Sequence, residues 1–400
     1  MSSPSQAVAR DDDNAGPSAG GAWPTEFYAW TGQADFESGD LDASVTIGSN
    51  GGLTLADGAG EGGWISPWHA PAEPFTSLVP SWQSATPPGT WVEIEVQVRT
   101  AAAESRWFAM GAWAFDTSMI ERRSTKGQVD PVGRVDTDTF MAAADAPGGM
   151  PVAYRMRVTL HGGAASPAIR QVGASTARPG PIPEATSEPS LSERVELNVP
   201  AYSQSVHRKE YPEFGGGGAV WCSPASTSML LSYWGTGPTP DELATLPPDP
   251  VFDLNGRADA QVAWAAIHTW DYVYCGAGNW PFNAAYAAEY GLDGSIRHYC
   301  SLRDVEAWVA RGVPVLVSTA WDNKAEDPRR HLDGSSIEQT RGHIMVVVGF
   351  TQDGDVIAND PASPSNDQVR HVYRRDQFER NWLSSSKGTT YLIKLPSIVG

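Results

Sequence analysis

The segment from Ser175 to Arg194 (STARPGPIPEATSEPSLSER) divides the chain. Its four prolines fix φ and remove backbone donors, and the Ser and Glu between them show no apolar period. Such a stretch sustains neither helix nor sheet and reads as an extended linker. The hydrophobic rhythm differs on its two sides, and 400 residues, 41% of them hydrophobic, are enough for two cores. We therefore expect a domain at 23–174, the linker at 175–194 and a second domain at 195–400. Residues 1–22, rich in Ser, Ala, Gly and Asp, bury too little apolar surface to offset the entropy of ordering and are expected to be a disordered tail.

The first half is a series of short strands. In Trp91 to Thr100 the residues Val92, Ile94, Val96 and Val98 alternate with Glu93, Glu95, Gln97 and Arg99, so one face is buried and the other wet. Arg106 to Phe115, Arg134 to Phe140 and Ala153 to Leu160 read the same way, with Pro87-Pro88-Gly89 and Pro147-Gly148-Gly149 as turns. Regularly spaced strands without long helices predict an antiparallel β-sandwich. Beyond the linker, Pro224 to Trp234 and Leu302 to Arg311 carry helix-period apolar residues. Val313 to Ser318 and Ile344 to Phe350 are continuous apolar runs suited to buried strands. The second half is therefore expected to be α+β.

Three residues of the second half combine into chemistry. Cys222 follows a glycine run and precedes Pro224, which suits a first helical turn, so the thiol is expected at a helix N-terminus. Unpaired backbone N–H groups there favour the thiolate, the reactive form. His343 opens an apolar strand, and a second short strand from Val356 ends in the carboxylate Asp360. A hairpin around Asp353-Gly354 would set those strands side by side. Thiol, imidazole and carboxylate are the parts of a nucleophile, a base and an orienting acceptor. Asn359 rivals Asp360, but neighbours on a strand face opposite ways and only one can reach His343.

VPAYSQ (Val199 to Gln204), WCSPASTSML, GHIMVVVGF and VIANDPAS (Val356 to Ser363) together resemble the C39-like peptidase family of papain-like cysteine proteases. The resemblance covers roughly residues 195 to 398. It implies a papain-like fold with Gln204 as oxyanion donor, Cys222 as nucleophile, His343 as general base and Asp360 as orienting carboxylate. It implies hydrolysis of a peptide or protein amide through a thioester, without a cofactor. The chain departs from the family in carrying Ser223 where Cys-Gly-Pro is usual, and in a charged, Gly-rich insertion from Ser205 to Val220. Gln204 reaches the site only if that insertion loops out. The first half, around LVPSWQSATPPGTWVEIEVQVRT and KGQVDPVGRVDTDTF, resembles modules that precede such peptidase domains in high-GC Gram-positive bacteria.

Charge and motifs narrow the alternatives. A net charge of −19, with 47 acidic against 28 basic residues, opposes binding to a phosphate backbone or an anionic membrane. No apolar run is long enough to span a membrane, and the opening residues have no apolar core of a signal peptide. Gly58 to Gly63 matches GxGxxG, but no helix pattern follows, so a dinucleotide site is rejected. The eight His are too scattered for a zinc set. Asp136 and Asp138, on one strand face, are expected to be solvated rather than to hold a sugar or cation. Pairing of Cys275 with Cys300 would leave Cys222 as the odd thiol. The loops Trp264 to Trp280 and Ser318 to Arg341 are expected to line the cleft, and their aromatic, acidic make-up points to a cationic or apolar partner. Two other readings are open. One is a non-catalytic protein that holds a polysaccharide or cell-wall ligand on the Trp-rich sandwich, since eight of the 16 Trp precede residue 195. The other is acyl transfer to an amine by the same three residues.

Overall fold

The computed structural model of the chain describes residues 23–249 and 259–398, and the tail expected at 1–22 lies outside the described residues. Two regions differ in kind. The first is mostly antiparallel β; the second mixes strands and helices.

In the first region a seven-stranded sheet centred on Ser77–Ala85 and Ala168–Ala177 faces a five-stranded sheet centred on Trp91–Arg99 and Ala153–His161. The alternation in Trp91–Arg99 sends Val92, Ile94, Val96 and Val98 into the shared apolar core. The segment expected as one strand from Arg134 to Phe140 is instead a hairpin, Gly133–Asp136 and Thr139–Ala142. A continuous strand would point Val135 and Phe140 to opposite faces. Folding back makes them cross-strand partners and buries both. The turn is Thr137-Asp138, and Thr137 takes φ +58, a costly conformation for a β-branched residue.

The strand Ala168–Ala177 ends only before the first proline, so three residues read as linker, Ser175 to Ala177, belong to the sheet. The chain after Ala177 is strapped to the second region. Ser187 bonds Glu379 through its N–H and hydroxyl, and Ser190 bonds Glu306, which is also ion-paired with buried Arg375.

The second region is built on a seven-stranded antiparallel sheet whose middle is Val315–Asp322 and Gln339–Phe350. It is buried on both faces. Leu316, Ile344, Val346 and Val348 join one apolar cluster, while Val315, Val317, Met345 and Val347 join another beneath the helices Leu302–Val309 and Arg375–Ser386. That is why these strands read as unbroken apolar runs rather than as alternation.

The first of those clusters does not stop at the regional boundary. It continues through the helix Trp280–Glu289, which lies on Ser77–Ala85, a strand buried on both faces. Phe282 meets Trp82 and Trp113 with ring centroids 6.1 and 5.4 Å apart. Both ends of this helix are held from the first region. At its start, Trp280 N–H donates to Asp138 at 2.9 Å. At its end, Glu289 accepts from Thr86 N–H and hydroxyl and from Trp113 Nε1. Arg122, fully buried, donates to the Ile267 carbonyl across the boundary at 2.7 Å. The two regions therefore pack as one body.

Candidate active site

Cys222 is the first residue of the helix Cys222–Tyr233, and Pro224 lies in the first turn, where no intrahelical acceptor waits for its missing N–H. The preceding Trp221 is buried, with its indole N–H on the Phe214 carbonyl at 2.7 Å, which anchors the entry to the helix. Ser226 on the next turn donates to the Ile344 carbonyl at 3.2 Å and ties the helix to the strand carrying His343.

His343 and Asp360 come together across the expected hairpin. Val346 pairs with Asn359 in the ladder, and the strand ends there, so Asp360 stands beside His343. The Nε2–Oδ1 distance is 2.7 Å, with His343 3% and Asp360 0% exposed. Both oxygens of the buried carboxylate are engaged. Ala362 N–H donates to Oδ1 at 2.9 Å, and the Tyr373 hydroxyl donates to Oδ2 at 2.9 Å. With Nε2 on Asp360, the imidazole also interacts with the Cys222 side chain, and each shifts the other's proton affinity. Trp321 packs edge-on against the imidazole at 5.4 Å. Asn359 turns the other way: its amide donates to the Pro200 carbonyl at 3.1 Å and its oxygen accepts from Arg370 at 2.6 Å.

The electrostatics are set by this order of contacts. Burial pushes the Cys222 thiol up, but the hydrogen bond and charge of His343, with the Ile344 and Ser223 N–H groups, outweigh it and hold the thiol below its ordinary value. Burial pushes His343 down, and the charge and hydrogen bond of Asp360 with those of Cys222 overcome this and raise it to about 10. Asp360 is brought to about 2 against its burial, first by His343 and then by Ala362 and Tyr373. A thiolate–imidazolium pair is the favoured state of such an arrangement.

Gln204 is buried, and its Oε1 has no hydrogen-bond partner. Its turn is strapped to the loop after Asp360: Gln204 N–H donates to the Pro361 carbonyl at 2.8 Å, and Ser205 Oγ to the Ala362 carbonyl at 3.1 Å. The insertion Ser205 to Val220 folds into short 3₁₀ turns at Gln204–His207 and Pro212–Phe214.

Cys222 and His343 open into a cleft of about 850 Å³. Its lining draws on both regions. Tyr274, Trp280 and Arg341 come from the second, and Ser77, Thr137, Asp138 and Met141 from the first. The two aspartates expected on one strand face are separated by the turn. Asp136 is exposed and ion-paired with Arg134 at 3.0 Å. Asp138 is buried, and its carboxyl is pushed up to about 6 by that burial, against the hydrogen bonds from Trp280 N–H and Thr139. Cys275 is an exposed free thiol on the cleft wall, whereas Cys300 is buried in the second apolar cluster, so the two are not paired with each other. Among the described residues no three His, Cys, Asp or Glu side chains converge as a metal set, and no helix is long and apolar enough to cross a membrane.

Tyr373, Trp321 and the cleft residues of the first region escape a linear reading. Nothing in their neighbours' sequence marks them, because they reach the site only through strand pairing and regional packing.

Residues 26–177 match the family described as Peptidase C39 N-terminal domain, and residues 196–390 match the Peptidase C39 like family. The chain is a cysteine peptidase-like protein. It belongs to the C39-like peptidase family and carries that family's N-terminal domain ahead of the peptidase-like one. A solved structure from Bacillus anthracis, described as a C39-like peptidase, is similar at 18% identity and a TM-score of 0.31, over 50% of this chain and 98% of that one. A family two carbohydrate esterase from Cellvibrio japonicus is similar at 9% identity and a TM-score of 0.19, over 41% of this chain and 38% of that one. The CBM22-1-GH10 modules of Clostridium thermocellum xylanase 10B, solved with xylohexaose, are similar at 13% identity and a TM-score of 0.22, over 40% and 29%. No curated protein matches the sequence.

Proposed function

We propose that this protein is a cysteine peptidase or amidase in which Cys222, His343 and Asp360 act as nucleophile, general acid–base and orienting carboxylate. The fold we assign to it is a β-sandwich, 23–177, joined through 178–194 to a papain-like α+β domain, 195–400. The observation that carries the reading is the His343 imidazole, bonded to Asp360 at 2.7 Å and interacting with the side chain of Cys222 at a helix N-terminus.

The Cys222 thiolate attacks the amide carbonyl and forms a C–S bond. The oxyanion is received by the Cys222 backbone N–H and the carboxamide of Gln204. Imidazolium His343 protonates the departing amine as the C–N bond breaks. A water that gives its proton to His343 then attacks the thioester, and breaking of the C–S bond releases the acid and restores the thiolate–imidazolium pair.

The binding-protein reading has less support in the first region, where five of the eight tryptophans belong to the core. Trp23, Trp30, Trp64, Trp82 and Trp113 are buried. Arg99 and Arg155 lie over Trp68, and Arg155 and Arg157 over Trp107. Trp91 stacks on His161 at 3.6 Å. The three half-buried rings, Trp68, Trp91 and Trp107, are the ones on which a sugar ligand would have to stack.

The test is the pH dependence of Cys222 alkylation by iodoacetamide, read by mass spectrometry in the wild type and in His343→Ala. The expected result is labelling that persists well below pH 8.5, about the value of a free thiol, and is lost in the variant. Ordinary thiol titration in both would refute the reading.

A further inference from the structure

The cleft carries a charge pattern opposite to that of the chain. The protein has a net charge of −19, and its cleft loops are acidic in sequence, yet both carboxylates lining the cleft are engaged by groups of the chain itself. Asp136 is ion-paired with Arg134. Asp138 faces inward onto the Trp280 N–H and the Thr139 hydroxyl. His298, also on the wall, is pushed down to about 4 by burial and is neutral at pH 7. Lys387 has its ammonium on the Ser384 carbonyl at 2.9 Å. Arg341 is different: it is exposed, lines the cleft, and among the described residues has no hydrogen-bond or ion-pair partner.

Its placement is built into the strand. The pairing of Val315–Asp322 with Gln339–Phe350 steps from Thr319–His343 to Trp321–Thr340, so the strand carrying His343 holds one extra residue at Arg341-Gly342. Such a bulge re-aims a side chain and bends the strand locally. Here it places Arg341 on the same cleft as His343, two residues away. The cleft lining also includes the hairpin turn Thr137-Asp138 of the first region, fixed by the bond from Trp280. A guanidinium offers two parallel N–H donors that match a carboxylate.

We propose that the cleft selects a peptide bearing a carboxylate side chain next to the scissile amide, and that Arg341 is the residue that receives it. This rests on the reading of Cys222 as a reactive nucleophile. Arg341 makes the selection and takes no part in the bond changes.

The experiment uses the full chain and three peptidyl chloromethyl ketones that differ only in carrying Glu, Gln or Lys next to the reactive group, with iodoacetamide as a side-chain-free probe. Labelling of Cys222 is followed by mass spectrometry. The wild type is expected to react about tenfold faster or more with the Glu probe than with the Lys probe. Arg341→Gln should bring the Glu and Gln probes to similar rates, Arg341→Glu should invert the preference, and Arg341→Lys should keep its direction. A wild type that labels fast with iodoacetamide but treats Glu and Lys alike, or a preference that Arg341→Glu leaves in place, overturns this inference while the nucleophile stands. Slow iodoacetamide labelling with ordinary thiol titration removes both.

Discussion

Each region contains histidines paired with carboxylates, and of two such pairs with nearly the same separation, His69–Glu26 and His343–Asp360, the second lines the candidate site. In the N-terminal region His69 Nε2 lies 2.6 Å from Glu26, which also accepts the Ala72 N–H. The ring is stacked on Tyr28 at 3.8 Å. In the C-terminal region His343 lies 2.7 Å from Asp360, and it also meets a thiol at a helix N-terminus and an 850 Å³ cleft. The distances are alike. What differs is the thiol beside the ring and access to a cavity, so a His–carboxylate pair is a structural clamp until a nucleophile and space for a substrate are added.

The comparison breaks most sharply at the nucleophile. Cys222→Ala is expected to lower amide turnover by about four orders of magnitude or more, with the thermal unfolding midpoint little changed, because the thiol is half-buried and fills little of the core. Retained turnover in that variant would reduce the second pair to a clamp like the first.

Asp360→Asn keeps the shape and removes the charge. Since Asp360 supplies the largest upward influence on His343, the imidazole should fall from about 10 toward its ordinary value. The ion pair exists above the lowered thiol value and below the raised imidazole value, so the wild-type rate falls on the acid side as Cys222 takes a proton and near pH 10 as His343 loses one. In the variant the alkaline limb moves to lower pH and kcat drops by roughly 10²- to 10⁴-fold. A pH–rate profile identical to wild type would contradict the assignment.

A smaller effect tests the coupling of the regions. Asp138 is raised to about 6 from an ordinary 3.8, so the folded state binds its proton more tightly than the unfolded one. Its contribution is most favourable below about pH 4 and declines as pH rises through 6. Asp138→Asn keeps an acceptor for Trp280 and should flatten that decline, raising stability at pH 7 by roughly 1–3 kcal/mol. Denaturant titrations at pH 4 and pH 7 measure this, and an unchanged pH slope would count against it.

The smallest effect is expected at the clamp. His69→Gln should cost about 1 kcal/mol of stability through the lost bond and stack, and change Cys222 alkylation less than about twofold. A large loss of reactivity there would erase the distinction between the two pairs.

Much of this was legible in one dimension because it depends on local rules. The alternation of Trp91 to Arg99, the apolar run of the His343 strand and the placing of Cys222 ahead of Pro224 follow from periodicity and capping. The choice of Asp360 over Asn359 was open in sequence. It was decided by strand register, which sends Asn359 to Pro200 and Arg370 instead. The segment Arg134 to Phe140 misled because a β-branched Thr137 with positive φ is a poor turn signal. Only burying Val135 and Phe140 on one face explains the fold-back.

The sequence by itself determined the two regions, the family and the set of nucleophile, imidazole and carboxylate, since those reside in composition, period and short motifs. Only the tertiary structure decided that the N-terminal region walls the cleft and that Trp280–Glu289 is held from it at both ends. It also decided that Arg341 faces the site with no partner among the described residues. Each of these joins residues far apart in the chain, and such contacts are set by packing, which leaves no trace in the neighbours of either residue.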